Sequence, residues 1–231
     1  MSVVPAKLTA VVQQPTAKHT ATLIFLHGFG DSGAGWQLKA SLPHIKFIFP
    51  NAPVRSITAY KGMESPAWFD IVAGLGKVGQ EDESGMLLSS QQVMQIIREE
   101  VDQHGIRANR IVLGGFSQGC ALSLLAGLSC NFKLAGIISL SGYIPINQKF
   151  LSHVTDANRT TPIFWGHGEA DQLCKYEWGE QSVEFLRQQN YPVEFHSYPM
   201  LGHSVSLQEI DDLETFLIKT LPQDMPILAK P

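Results

Sequence analysis

The chain has 231 residues, of which 44% are hydrophobic, and its formal net charge is −4. This length and apolar content suffice for one sizeable core, so a single domain is predicted over residues 1–231, with peripheral tails at residues 1–7 and 222–231. The sequence contains no cluster of Lys and Arg, which leaves nucleic-acid binding without electrostatic support.

The first third of the chain combines predicted strands with a long irregular stretch. A weak strand over residues 8–13 precedes a strong one over residues 22–26, and a short helix is expected over residues 36–42. The next strand, residues 46–49, leads into the irregular stretch, residues 54–84. Because this stretch is rich in apolar side chains, it predicts a covering loop and not a solvated linker.

Strands alternate with helices through the rest of the chain. Ser89 or Ser90 is expected to cap a helix that ends at Gly105. The remaining predicted elements are strands over residues 111–113, 134–140, 162–165 and 193–198 and helices over residues 121–128, 176–189 and 207–221. This alternation of apolar strands and helices predicts an α/β fold, with a mostly parallel central sheet covered by helices on both faces.

The sequence Gly115-Phe-Ser-Gln-Gly119 joins the central predicted strand to the following helix. It has the G-x-S-x-G pattern of an α/β-hydrolase nucleophile elbow. Glycines on either side of Ser117 permit the sharp turn that lifts its hydroxyl above the sheet edge. A glycine-rich connection with an incidental serine would fit the same letters, so the interpretation depends on finding partners for Ser117.

A catalytic serine needs a base, and the base needs an orienting carboxylate. In a parallel sheet these partners are expected after the carboxyl ends of later strands. Asp171 and His203 each follow one of the last two predicted strands, and with Ser117 they give the chain order Ser, Asp, His. Glu169 is the competing acid, two residues nearer the strand. His167 precedes both acids in the same loop and is expected to be structural.

The loop His27-Gly-Phe-Gly30 follows the strongest early strand. Its glycines permit a sharp turn that leaves the backbone amide of Phe29 free to pair with that of Gln118. These two amides are the predicted oxyanion donors. His27 itself is expected to fix the loop by hydrogen bonds and not to transfer protons.

The sequence also bears on location and cofactors. No apolar run approaches the length that crosses a bilayer, and residues 1–7 lack the pattern of a signal peptide. Cys120, Cys130 and Cys174 have no paired spacing, which predicts free thiols in a reducing compartment. We therefore predict no integral membrane segment, with transient membrane contact left open, a cytoplasmic location with the nucleus as an alternative, and no metal or cofactor.

Seven ordered blocks between about residues 20 and 221 carry a resemblance to a known family. They are Leu26-His-Gly-Phe-Gly-Asp-Ser-Gly33 with Trp36, Phe49-Pro-Asn-Ala-Pro53, Pro66-Ala-Trp-Phe-Asp70, Glu81-Asp-Glu-Ser-Gly85, Gly114-Gly-Phe-Ser-Gln-Gly119, Gly166-His-Gly-Glu-Ala-Asp171 and Gly202-His-Ser204. The blocks closely resemble the acyl-protein thioesterase/lysophospholipase/carboxylesterase family of α/β hydrolases.

The resemblance implies a cytosolic serine hydrolase that cleaves fatty acyl thioesters from S-acylated (palmitoylated) protein cysteines. It implies Ser117 as the nucleophile, His203 as base and acid, and Asp171, in preference to Glu169, as the orienting carboxylate. The amides of Phe29 and Gln118 would form the oxyanion hole. Small acyl esters or lysophospholipids are the alternative substrates, and a non-catalytic lipid-binding relative is the alternative class.

The same resemblance implies where an acyl chain would lie. The loop from Trp68 to Gly76, with Leu75, would form a flap over the acyl channel, and Leu173 would line the opposite wall. The chain departs from the family pattern at Phe29, where Leu is usual, at Cys120, and at Cys174 after the acid. These departures leave acyl-chain preference open without affecting the predicted hydrolysis.

Overall fold

The computed structural model describes residues 6–36, 42–73, 81–146 and 149–223. Most of both predicted tails therefore lies outside the described residues. The strands in the described ranges are β1 (Ala10–Gln13), β2 (Ala21–Leu26), β3 (Ile45–Pro50), β4 (Val54–Ile57), β5 (Met63–Pro66), β6 (Ile111–Phe116), β7 (Gly136–Leu140), β8 (Ile163–Gly168) and β9 (Val193–Tyr198).

Seven of these strands form one central sheet in the order β1-β3-β2-β6-β7-β8-β9. Only β1 is antiparallel to its neighbour, and the remaining pairs are parallel. The strand that leads to Ser117, β6, lies in the middle of the sheet. Because parallel strands share one carboxyl edge, the loops after β2, β6, β8 and β9 emerge on the same side.

Helices cover both faces of the sheet, which confirms the predicted fold class. They are α1 (Glu83–Asp102), α2 (Gln118–Ser129), α3 (Phe150–His153), α4 (Tyr176–Gln188) and α5 (Leu207–Thr220). Apolar side chains of α1, α2 and α4 join the core on one face, whereas those of α5 pack on the other face with aromatic residues of β2 and β3. Nearly every residue of α2 is buried, as expected for the helix that follows a nucleophile elbow.

The predicted irregular stretch is more ordered than its sequence indicates. Strands β4 and β5 form an antiparallel hairpin between residues 54 and 66. Its turn contains Lys61 and Gly62, both with positive φ, which is the backbone conformation that closes a tight connection. Local alternation in β4 and β5 is weak, and this is why the hairpin was not predicted.

The first long helix begins earlier than predicted. Asp82 caps α1 by accepting a hydrogen bond from the Gly85 amide, so Ser89 and Ser90 lie inside the helix and are buried. The prediction of a cap at either serine was wrong, because the true cap lies within the stretch interpreted as irregular. The helix predicted over residues 36–42 falls largely on residues 37–41, which lie outside the described residues.

Candidate active site

The turn between β6 and α2 holds Ser117 in a sparsely populated backbone conformation, with φ 55° and ψ −117°. A Cβ at Gly115 would lie 2.3 Å from the carbonyl oxygen of Gly119, and one at Gly119 would lie 2.2 Å from that of Leu26. Neither position can therefore accept a side chain. The amide of Ser117 donates to the Leu140 carbonyl at 2.9 Å, which ties the turn to β7.

The structure brings the three predicted catalytic side chains into one hydrogen-bonded chain. His203 Nε2 lies 2.9 Å from Ser117 Oγ, and His203 Nδ1 lies 2.7 Å from Asp171 Oδ2. The residues are 86 and 32 positions apart in sequence and meet because the loops after β6, β8 and β9 share one edge of the sheet. This geometry allows His203 to take a proton from Ser117 while Asp171 stabilises the imidazolium that forms.

Asp171 is almost fully buried, at 2% exposure, yet its carboxylate is surrounded by donors. Oδ1 accepts from the amides of Leu173 and Cys174, each at 2.9 Å, and Oδ2 accepts from His203. Burial alone would raise the pKa of Asp171, but His167, His203 and the Cys174 amide outweigh it and hold this pKa well below its ordinary value. Asp171 is therefore ionised at neutral pH.

Two residues close to Asp171, Glu169 and His167, lie outside the catalytic hydrogen-bonded chain. Glu169, the competing acid, is exposed, and its amide is bound to the Tyr198 carbonyl. His167 is completely buried, with Nε2 at 2.8 Å from the Cys174 carbonyl and at 3.5 Å from Asp171 Oδ2. It acts as a structural residue that braces the acid loop.

The oxyanion loop is held by its buried histidine. The amide of Ala52 donates to His27 Nε2 at 3.0 Å, so the proton lies on Nδ1, which donates to the Gly28 carbonyl at 2.7 Å. Burial lowers the pKa of His27, in agreement with a neutral ring. As expected from the sequence, the position of His27 is that of a structural residue.

The two predicted oxyanion donors flank the nucleophile. A Cβ at Gly28 would lie 3.4 Å from Cβ of Ser117, so the loop that carries Phe29 passes beside the elbow. Among the described residues, the Phe29 amide has no hydrogen-bond acceptor. The first intrahelical bond of α2 runs from the Ala121 amide to the Ser117 carbonyl, so the amide of Gln118, the first residue of the helix, has no intrahelical acceptor. Both N–H groups are thus available to an oxyanion.

The predicted substrate-binding residues have different outcomes. Trp68 is completely buried and packs against the His27 ring, with ring centroids 5.1 Å apart. Its side chain offers no surface to a substrate, which contradicts the predicted substrate contact of Trp68; its apolar character reflects core packing at this position. Leu75 lies outside the described residues. Leu173 is 54% exposed and directly follows the acid loop, where an acyl chain could contact it.

Sequence reasoning also missed one ring that shapes the site. The phenyl ring of Phe116 packs against the His203 imidazole, with centroids 4.8 Å apart. Its place directly before the nucleophile in the elbow is the signal that could have identified it. In the part of the chain that the structure describes, no group of three or more His, Cys, Asp or Glu residues is arranged to hold a metal ion, and no helix could span a bilayer.

Comparison with known proteins places this geometry in a family. Residues 8–221 match the family described as phospholipase/carboxylesterase. The chain is 43% identical to acyl-protein thioesterase 1 of Mycosarcoma maydis, over 89% of this chain and 93% of that protein, and 44% identical to the same-named protein of Neurospora crassa, over 90% and 89%. The crystal structure of Zea mays acyl-protein thioesterase 2 superposes with a TM-score of 0.83 at 30% identity, covering 92% of this chain and 99% of that one. The chain therefore belongs to the phospholipase/carboxylesterase family of α/β hydrolases.

Proposed function

We propose that this protein is a serine hydrolase that removes fatty acyl groups from S-acylated protein cysteines. The observation that carries the proposal is the continuous Ser117–His203–Asp171 hydrogen-bonded chain beside two available backbone amides. Relatives more than 40% identical over most of their length are named acyl-protein thioesterases, which supports a thioester of a protein as the substrate.

In the proposed reaction, Ser117 Oγ attacks the acyl carbonyl carbon while His203 Nε2 accepts the hydroxyl proton. The amides of Phe29 and Gln118 bind the resulting oxyanion. The bond to the cysteine sulfur then breaks, and His203 returns the proton to the leaving thiol. Water, activated by the same histidine, hydrolyses the acyl-Ser117 ester and regenerates the enzyme.

Small carboxylic esters and lysophospholipids are the second class of substrates. The family description, phospholipase/carboxylesterase, favours this alternative. The same triad cleaves oxygen esters by the same steps, so the distinction lies in the leaving group and not in the catalytic residues. Turnover of acyl-peptide thioesters, short esters and lysolipids with matched acyl chains would separate the two classes.

The proposed location is the cytoplasm, with transient contact to membranes that present acylated proteins. Fractionation of the expressed protein tests this part of the proposal independently of its chemistry.

The chemistry is tested with Ser117→Ala. We expect this variant to lose p-nitrophenyl butyrate hydrolysis and fluorophosphonate labelling while keeping the wild-type circular dichroism spectrum, because only one oxygen is removed. Wild-type protein that fails to label, or a variant with near-normal turnover, would show that Ser117 is not the nucleophile and would favour a lipid-binding relative.

A further inference from the structure

The segment Trp68–Phe69 makes hydrogen bonds to both halves of the predicted oxyanion hole. The indole Nε1 of Trp68 donates to the His27 carbonyl at 2.8 Å, in the loop that carries Phe29. The amide of Trp68 donates to Gln118 Oε1 at 2.7 Å, and Gln118 Nε2 donates to the Phe69 carbonyl at 2.8 Å. We call this set of three bonds the Trp68 bridge.

The members of the Trp68 bridge are shielded from water. Trp68 is 0%, His27 1%, Gln118 3% and Phe69 3% exposed. Water cannot readily replace such bonds, so breaking one leaves a buried polar group unpaired. A buried and fully paired network of this kind holds its members rigidly.

The Trp68 bridge is also anchored to the protein on a third side. Ser89 Oγ, on the buried face of α1, donates to the Trp68 carbonyl. The segment is therefore fixed by α1, by the first residue of α2 and by the loop after β2. This explains why Ser89 is a buried serine within the helix and not a cap.

We infer that the Trp68 indole and the Gln118 side chain are positioning residues that set the distance between the Phe29 and Gln118 amides. This inference depends on the proposed serine hydrolase function. An oxyanion hole is effective only when its donors already lie where charge develops in the transition state. The two donors come from chain segments about ninety residues apart, and the Trp68 bridge connects these segments directly.

The test uses Trp68→Phe, which removes the indole N–H but keeps an aromatic ring, and Gln118→Met, which removes both side-chain bonds but keeps the backbone donor. Trp165→Phe is the matched control. Trp165 is also completely buried, and its Nε1 has no hydrogen-bond partner among the described residues, so the control makes the same substitution without breaking a bond.

We expect Trp68→Phe and Gln118→Met to lower kcat for p-nitrophenyl butyrate about tenfold or more, with KM within about twofold and an unchanged pH profile. This split follows because the oxyanion forms only in the transition state, whereas His203 and Asp171 are untouched. Amide hydrogen exchange in a peptide covering residues 27–30 should accelerate in Trp68→Phe. The control should keep wild-type kcat and exchange.

Equal kcat and equal exchange in Trp68→Phe, Gln118→Met and Trp165→Phe, in an active enzyme, would overturn the positioning role while the proposed function stands. A rise in KM alone would also overturn it, since that would indicate a role in substrate binding. If wild type and Ser117→Ala turn over ester equally, the proposed function fails instead, and the exchange data alone decide whether the Trp68 bridge fixes the loop. Should Trp68→Phe not fold, Gln118→Met carries the test.

Discussion

The loop after β8 and the first turn of α5 each bury one carboxyl group, and the two groups have opposite environments. Asp171 receives hydrogen bonds from two backbone amides and from His203. Glu209 is 0% exposed, and neither of its oxygens has a well-formed hydrogen bond among the described residues, although the nearby backbone amide of Ser206 favours the charged form. Burial raises the pKa of Glu209 to about 7, and the charge of Asp212 acts in the same direction, whereas the pKa of Asp171 is held well below its ordinary value.

Both side chains are shielded from solvent, and at both sites this loss of hydration raises the pKa. The two sites differ in their supply of donors: several N–H groups directed at a carboxylate favour its charged form, and a shortage of them favours the protonated acid. The loop after β8 supplies them because its backbone turns around Asp171. Glu209 lies in the first turn of α5, where the Ser206 side chain accepts from the Glu209 amide but its carboxyl faces the backbone of Gly166. Only the carboxylate with several donors, Asp171, is suited to stabilise an imidazolium.

The strongest test of this contrast is Asp171→Asn. Asparagine keeps the shape of the carboxylate, but it is neutral and can present an N–H group to His203. The histidine is therefore expected to adopt the tautomer that cannot accept a proton from Ser117. By analogy with triads in which this substitution has been made, kcat should fall about 10⁴-fold. Turnover of p-nitrophenyl butyrate at pH 7.5 measures the effect.

Glu169→Gln is the matched control for that test, because Glu169 is an exposed carboxylate in the same loop. Its kcat should remain within about twofold of wild type, as expected for a surface substitution. A large loss in Glu169→Gln with little loss in Asp171→Asn would mean that the acid has been assigned to the wrong residue.

The role of Asp171 could be predicted from the sequence, but the buried environment of Glu209 could not. Ser117, Asp171 and His203 each follow a predicted strand, and strand order in a parallel sheet brings such loops together. Glu209 carries only a weak signal, the Ser206-x-x-Glu209 spacing of a capping box, which predicts a solvated helix start and not a buried acid.

The segment around Trp68 shows a second limit. Its apolar composition predicts covering structure, but composition does not distinguish a flap that contacts substrate from a buried support. That distinction depends on the hydrogen-bond acceptors of the two Trp68 N–H groups. These are the His27 carbonyl and the Gln118 side chain, which lie about forty and fifty residues away from Trp68 in sequence. Likewise, Asp82 and Ser89 both fit the composition of a helix cap, and tertiary contacts decide between them.

The next largest effect should come from Glu209→Gln, measured as stability and not as activity. Since the folded pKa lies above the ordinary value of 4.5, the wild-type protein loses stability as pH rises from about 4.5 through 7. A neutral amide removes that loss. The variant should therefore be more stable by about 3 kcal/mol at pH 8 and by less than about 1 kcal/mol at pH 5.

Urea unfolding of wild type and Glu209→Gln at the two pH values gives these differences. Asp211→Asn, an exposed carboxylate on the same helix, is the control and should change stability by less than about 0.5 kcal/mol at either pH. A stability difference that does not vary with pH would show that Glu209 is already charged or solvated in the folded protein, and the contrast with Asp171 would disappear.

The smallest effect concerns His167, which supports Asp171 without belonging to the triad. His167→Leu removes the N–H that binds the Cys174 carbonyl and lies near Asp171 Oδ2, leaving a buried acceptor unpaired. The expected cost at pH 7 is about 1–2 kcal/mol of unfolding free energy. His167→Gln, whose amide can place a donor near the same position, should recover part of it.

The part of this cost that comes from Asp171 has a defined pH dependence. A carboxyl group whose folded pKa is lowered stabilises the protein above its ordinary pKa of 3.8, and this stabilisation is lost as pH falls toward the folded value. The difference between wild type and His167→Leu should therefore be largest at pH 7 and shrink below about pH 4 in urea unfolding experiments. If the cost is equal at every pH, His167 stabilises the fold only through its hydrogen bond to the Cys174 carbonyl. The low pKa of Asp171 would then result from His203 and the two backbone amides.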